Sequence, residues 1–334
     1  VFICVYLWFF NEMTQMTMAN DQSIKQAVAI LNDGGLVAMP TETVYGLAAD
    51  ATNGRAVARI FEAKGRPAFN PLIIHVANLD EAQNWGEFNT AALDLAHSFW
   101  PGPMTLVVPK KPDINLSDLV TAGLESVAIR VPAHAVAQSL IAAAGVPLAA
   151  PSANKSGAVS STSPAHVHDS LGDKVDMILA GGASKVGLES TIIDCTADTP
   201  QILRPGAVTA EQIADLLGIE PASLAMTDHN PDAPKSPGLL LKHYAPSIPM
   251  RLRAIDIKDD EALLAFGSTK FMNVSEDTQS LNLSESADLY EAAANLFAMM
   301  RALDRPPHKA IAVMDIPQTG LGAAINDRLR RAAS

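Results

Sequence analysis

Lys64-Gly65-Arg66 places two cations around a glycine, and Pro67 and Pro71 stiffen the loop that follows. A rigid cation pair suits a polyphosphate, because it neutralises charge with little reorganisation. Asn70 and His75 bracket the apolar run that comes next. Compact polar groups recur further along. Thr41, Glu42, Thr43 and Tyr45 lie between Pro40 and Gly46; Ser126 and Arg130 flank Val-Ala-Ile; Ser152 and Asn154 follow Pro151, ahead of Ser160–Ser163; Glu189 and Ser190 follow Gly187; Arg204 precedes Pro205 and Gly206. Each of these alone reads equally well as a polar turn. Arg130 closes an otherwise apolar strand and needs a partner, since an unpaired buried charge is costly. That partner is either a structural carboxylate or the carboxylate of a ligand, which arginine grips well. No segment matches GxxxxGK[ST] or GxGxxG, so the common nucleotide-binding loops are not written here. No Ser/His/Asp or Cys/His order suggests a hydrolase. The two cysteines, Cys4 and Cys195, belong to no CxxC or Cys/His cluster, so the sequence writes no zinc site.

These polar groups need elements to carry them. Ile24, Ala27, Val28 and Leu31 fall on one face of a helix that Gly34 and Gly35 end. Leu36–Met39 then reads as a buried strand. Further helices are expected over Arg55–Ala63, Ala91–Phe99, His134–Ala144, Pro164–Leu171 and Ala210–Leu217. Further strands are expected over Leu72–Val76, Leu106–Val108, Val127–Val131, Leu148–Ala150, Met177–Ala180, Thr191–Asp194 and Ile202–Leu203. The alternation predicts an open α/β sheet, with the polar motifs at strand ends where such sheets place ligands. Residues 219–249 are rich in proline and small polar residues and read as a linker long enough to act as a lid. Beyond it, strands are expected over Leu252–Ile255, Leu263–Phe266 and Ala310–Met314. Helices are expected over 285–303 and Ala323–Arg331, making a smaller α/β domain over 250–334. The catalytic domain is placed at 21–218.

The chain has 334 residues, 48% hydrophobic and 18% charged, which suits a globular protein of two domains. Its net charge of -12 argues against a large nucleic-acid footprint. The apolar start VFICVYLWFF is shorter than the roughly 20 residues a spanning helix needs. Residues 1–20 are therefore expected to be an extension ahead of a natural start at Met13, Met16 or Met18, and no membrane association is expected. So few cysteines fit a reducing cytoplasm.

In order, PTETVYGL, KxR at Lys64/Arg66, WPGP at Trp100–Pro103, the arginine-ended strand, SxN at Ser152/Asn154, GLESTII and LRPG resemble the YrdC family of threonylcarbamoyl-AMP synthases. SPGLLLKHYAP (Ser236–Pro246) and the segments NLSESADLYEAAANLFAMMRALD and GLGAAINDRLRRAA resemble the linker and extra domain of its long form. The resemblance implies a YrdC-like twisted open sheet and a smaller Rossmann-like C-terminal domain. It implies that ATP, L-threonine and bicarbonate give threonylcarbamoyl-adenylate and pyrophosphate, with Mg²⁺ arriving on ATP. The product would pass to a transferase complex that modifies tRNA beside the anticodon, with no stable nucleic-acid complex here.

Residue roles follow from the same motifs. Lys64 and Arg66 would be catalytic, beside the phosphates. Thr43, His75, Arg130, Ala150 and Ser190 would bind threonine, with Arg130 at its carboxylate and Ala150 offering backbone. Arg66, Asn70, Ser126, Ser152, Asn154, Ser160 and Arg204 would bind the nucleotide, and Tyr244 would close over it. An RNA-binding module without catalysis is the alternative; the acidic balance weighs against it. A carbamoyltransferase of hydrogenase maturation would need cysteine-rich zinc motifs that are missing here.

Overall fold

The computed structural model describes residues 15–219, 222–223, 243–269 and 278–334. In chain order the first unit begins β1 (Gln15–Met18), α1 (Asp21–Asn32), β2 (Val37–Met39), β3 (Gly46–Asp50), α2 (Gly54–Lys64) and β4 (Ile73–His75). It continues α3 (Leu79–Ala82), α4 (Thr90–Phe99), β5 (Met104–Pro109), α5 (Asp118–Thr121), β6 (Ser126–Arg130), α6 (Ala135–Ala144) and β7 (Leu148–Ala149). It closes with α7 (Pro164–Leu171), β8 (Met177–Ala180), β9 (Thr191–Asp194), β10 (Gln201–Arg204), α8 (Ala210–Leu217) and β11 (Ala222–Ser223). The second unit holds β12 (Met250–Arg251), β13 (Glu261–Ala265), β14 (Ser280–Asn282), α9 (Leu289–Leu303), β15 (Ala310–Val313) and α10 (Leu321–Ala332).

Short polar side chains start many of the helices. Asn20 accepts from the backbone N–H of Gln22 and Ser23, and the Ser23 hydroxyl answers the Asn20 N–H, closing a capping box ahead of α1. Asn53, Asn89, Ser163, Thr209 and Asp288 cap α2, α4, α7, α8 and α9 in the same way.

The first unit's strands form an eleven-stranded sheet in the order β1-β8-β2-β3-β7-β4-β6-β5-β9-β10-β11. Parallel pairs such as β4·β6 and β5·β9 mix with antiparallel ones such as β3·β7, β4·β7 and β5·β6. The central strands are buried on both faces, so β2, β4, β8 and β9 read as short apolar runs. Side chains alternate between the two cores. Ala38 joins Ile60, Leu72 and Leu106 on one face, while Val37 and Met39 pack with Ala27, Leu31 and Leu140 on the other. The second unit is a four-stranded parallel sheet, β12-β15-β13-β14, with α9 and α10 packed on it.

Three expectations change. The expected extension over 1–20 overlaps ordered structure: β1 pairs in parallel with β8 from Gln15 to Met18, and Asn20 caps α1. Edge pairing of backbone groups needs no apolar pattern, which is why periodicity missed it; residues 1–14 lie outside the described residues. The strand expected at Leu252–Ile255 is instead β12 at Met250–Arg251, and the helix expected from 285 starts at Leu289 behind its Asp288 cap. Most of the expected linker, 219–249, falls outside the described residues, which resume at His243. Among the described residues no helix is long and apolar enough to cross a membrane.

Candidate active site

The ends of β4, β6 and β7 meet in the middle of the sheet. β4 and β6 run parallel with His75 beside Arg130, and β7 runs antiparallel to β4. The Ala150 N–H donates to the Ile73 carbonyl at 3.0 Å, which fixes the start of the Pro151–Asn154 segment. The turn before β3 brings Thr43 against Arg130. Arg130 donates Nη1 to Thr43 Oγ1 at 2.8 Å, Nη2 to Glu42 Oε1 at 2.5 Å and Nε to the Gly102 carbonyl at 3.2 Å. Glu42 is thus the structural carboxylate that this buried arginine requires. Burial first, and Arg130 second, lower the His75 pKa to about 3, so its ring is neutral. Its Nδ1 is buried without a hydrogen-bond partner.

Further cations gather around the same cavity. Lys64, at the end of α2, donates to the carbonyls of Ser152 and Asn154. Burial, then the Arg66 charge, hold its pKa well below the ordinary lysine value, with Glu189 opposing. Gly65 takes a left-handed conformation at φ 59°, which turns the chain so that Arg66 also points inward. Arg66 donates to the carbonyls of Asn70 (3.3 Å) and Pro71 (2.9 Å). Arg204, at the end of β10, donates to Ser190 O at 2.9 Å and Ser190 Oγ at 3.2 Å. The Ser190 hydroxyl also lies 2.8 Å from Thr105 Oγ1. Gly206 must be glycine: a Cβ there would stand 2.4 Å from the Thr191 nitrogen and 2.6 Å from the Glu189 carbonyl.

His243 and Tyr244 roof the cavity. Their rings meet at 4.0 Å, and Tyr244 stacks on Phe297 of α9 with centroids 5.5 Å apart. Burial and the charges of Arg66, Lys64, Arg204 and Arg328 hold His243 well below the usual histidine range. The space left within the ring of lining residues is about 50 Å³. Small-molecule sites run to roughly 300–1,000 Å³, so the cavity as it stands is small for an amino acid and a nucleotide together.

Of the residues singled out by sequence, Thr43, Arg66, His75, Arg130, Ala150, Ser152, Ser190, Arg204 and Tyr244 line this one cavity. Lys64, Asn70, Asn154 and Ser160 stand behind that lining. Asn70 offers its carbonyl to Arg66, Asn154 receives Lys64, and Ser160 donates to Glu189 Oε1 at 2.5 Å. Ser126 does not line this cavity: it starts β6, paired with Pro109, four residues from Arg130 along the strand, or ~13 Å. Sequence reading missed Glu189 and His243 as lining residues, although both sit inside quoted motifs, GLEST and KHYAP. Among the described residues, the buried side-chain atoms without a partner are the amide of Asn70, His75 Nδ1, Asn154 Oδ1, His243 Nδ1, the Tyr244 hydroxyl and Arg328 Nη2. All belong to this cavity, the loops behind it or the arginine under its roof. Buried polar groups are ordinarily satisfied, so such a concentration marks a place built for a polar ligand.

The Sua5-yciO-yrdC family model, described as telomere recombination, matches residues 29–206. The chain belongs to this family. A second family model, the C-terminal domain of threonylcarbamoyl-AMP synthase, matches 208–334, so this is a long-form Sua5 member. A threonylcarbamoyl-AMP synthase of Bacillus subtilis is 40% identical over 97% of this chain and 97% of its own. Another, from Pyrococcus abyssi, is 40% identical over 93% and 94%. The crystal structure of P. abyssi Sua5 with L-threonine superposes with a TM-score of 0.86 at 37% identity, covering 96% of this chain and 97% of that one. The mixed sheet with its smaller parallel-sheet unit is therefore a Sua5 architecture, and the expected fold class holds.

Proposed function

We infer that this chain is a threonylcarbamoyl-AMP synthase, an ATP-using nucleotidyltransferase. The observation that carries the reading is the cavity itself. A neutral histidine, a carboxylate-held arginine and a threonine hydroxyl line it together with Arg66 and Arg204, and Lys64 stands behind that lining.

L-Threonine would lie against Thr43, His75, Arg130, Ala150 and Ser190. Its carboxylate has Arg130 to pair with, provided that Glu42 shares the guanidinium. The threonine nitrogen attacks the bicarbonate carbon, the bond from that carbon to its hydroxyl breaks, and water leaves with an amine proton, giving an N-carboxylate. One oxygen of that carboxylate attacks the α-phosphorus of ATP, the bond from that phosphorus to the bridging oxygen breaks, and pyrophosphate leaves. Arg66, Ser152, Asn154, Arg204 and Asn70 would hold the nucleotide, with Ser160 behind them and Lys64 meeting the phosphate charge. Such transfer rests on positioning and charge stabilisation rather than on a general base. Closure of His243 and Tyr244 would exclude water from the adenylate. Withdrawal of this pair would admit ATP.

Mg²⁺ would ride on the phosphate oxygens. Glu189, the carboxylate of the lining, already accepts from Ser160 and Arg328 and is a poor candidate for a ligand. The adenylate would pass to a separate transferase complex that modifies tRNA beside the anticodon, in the cytoplasm. Pyrophosphate release from ATP by the purified protein tests the reaction. Release that needs both L-threonine and bicarbonate is expected; release indifferent to threonine would overturn the synthase reading, and no release at all would overturn it in favour of a binding module.

A further inference from the structure

The second unit reaches the site through charge. From α9, Arg301 donates Nε to the Ser160 carbonyl at 3.2 Å and Nη2 to the Val159 carbonyl and, at 3.4 Å, to Ser161 Oγ. One side chain thereby grips three successive residues of the loop that carries Ser160. From α10, the fully buried Arg328 donates Nε to Glu189 Oε2 at 2.9 Å and Nη1 to the Pro205 carbonyl and Asp327 Oδ2, both at 2.8 Å. The other oxygen of Glu189 takes the Ser160 hydroxyl. Arg328 also lies 5.3 Å from the centroid of the Tyr244 ring, an attractive cation–π placement. Asp327 in turn holds Arg331 at 3.0 Å, so the cationic cluster is braced within α10. α9 presses directly on the GLEST segment. Gly187, at φ 73°, would bring a Cβ to 2.5 Å from the Ala293 carbonyl and 2.5 Å from the Ala294 Cα.

The threonine side is held differently. Thr43 and Arg130 take their partners, Thr41, Glu42 and Gly102, from the first unit. Val44 joins the second unit's core by apolar packing, without charge.

We propose that Arg301 and Arg328 are positioning residues by which the second unit sets the nucleotide half of the site, while Thr43 and Arg130 of the threonine half are held by the first unit. Arg301 fixes the backbone of the Ser160 loop. Arg328 orients Glu189, and through it the Ser160 hydroxyl, while it supports the closed face of Tyr244. Removing either arginine leaves the loop or a buried carboxylate without its partner, and the loss falls on ATP. The inference rests on the reading that Ser160 and Tyr244 face the nucleotide.

The test uses the full chain with Arg301→Ala and, separately, Arg328→Lys. Lysine keeps the charge, but one ammonium cannot serve Glu189, Asp327 and Pro205 and also stack on Tyr244. Steady-state pyrophosphate release gives KM for ATP, and calorimetry gives threonine affinity without ATP. Each variant should raise KM for ATP at least about tenfold, the scale of a lost charged hydrogen bond, with threonine affinity within about twofold of wild type. Should Arg328→Lys fail to fold, the partly exposed Arg301 carries the test alone, with thermal melting as the check. An active wild type whose variants weaken both substrates alike, or neither, overturns the proposal. A wild type without threonine-dependent release sinks the functional reading itself, and this inference with it.

Discussion

Protonating His75 inside the fold is the perturbation whose cost is best defined. The residue is 3% exposed, and burial with Arg130 beside it takes its pKa from 6.5 to about 3. The folded protein holds the ring neutral, whereas the unfolded chain takes up a proton near the ordinary value. This contribution to stability is therefore whole above pH 6.5 and is lost as pH falls from there towards 3. At pH 5 the ring is about 1.5 units below its unfolded pKa, which at about 1.36 kcal/mol per unit amounts to about 2 kcal/mol. His243 is also held neutral, so wild type alone does not isolate the effect. The comparison is wild type against His75→Gln, which keeps a polar side chain and cannot titrate. Urea unfolding followed by the fluorescence of Trp85 and Trp100 would be run near pH 7 and near pH 5, about two units apart across the window that linkage defines. Glutamine is expected to lower stability at neutral pH, yet its stability should fall by about 2 kcal/mol less between the two conditions. Equal falls in the two proteins would refute the argument that a buried neutral imidazole stands beside Arg130.

Two further outcomes follow from the packing. Lys64→Met should leave the fold intact and threonine affinity unchanged. It should lower turnover by about 10²–10³-fold, the usual cost of losing a preorganised charge-stabilising group; single-turnover pyrophosphate release measures this, and wild-type turnover would remove Lys64 from the chemistry. Gly206→Ala should destabilise the protein by about 1–3 kcal/mol through overpacking against backbone atoms that cannot move aside, read as a lowered denaturant midpoint.

Much of the element pattern was legible because it is local. Buried strands such as Ile73–His75 and Thr191–Asp194 are apolar runs, and α4, α7 and α8 match their expected spans to within a residue. β1 and β14 left no such trace, being short edge strands held by backbone pairing. The motif residues were legible as types, but not all as neighbours. Ser126 and Arg130 share a strand and one of its faces, yet four residues of extended chain, or ~13 Å, set Ser126 apart from the residues that line the cavity.

By itself the sequence determined which groups could do the chemistry. It supplied the cations around Gly65, the arginine closing β6, the hydroxyls and amides after β7 and the family they spell together. Only the tertiary structure decided how those charges are spent. It paired Arg130 with Glu42, set Lys64 on the carbonyls of Ser152 and Asn154, and joined Glu189 to an arginine 139 residues away. Charge pairing across such distances follows from which strands and helices share a buried space. A linear pattern records each partner without recording that they meet.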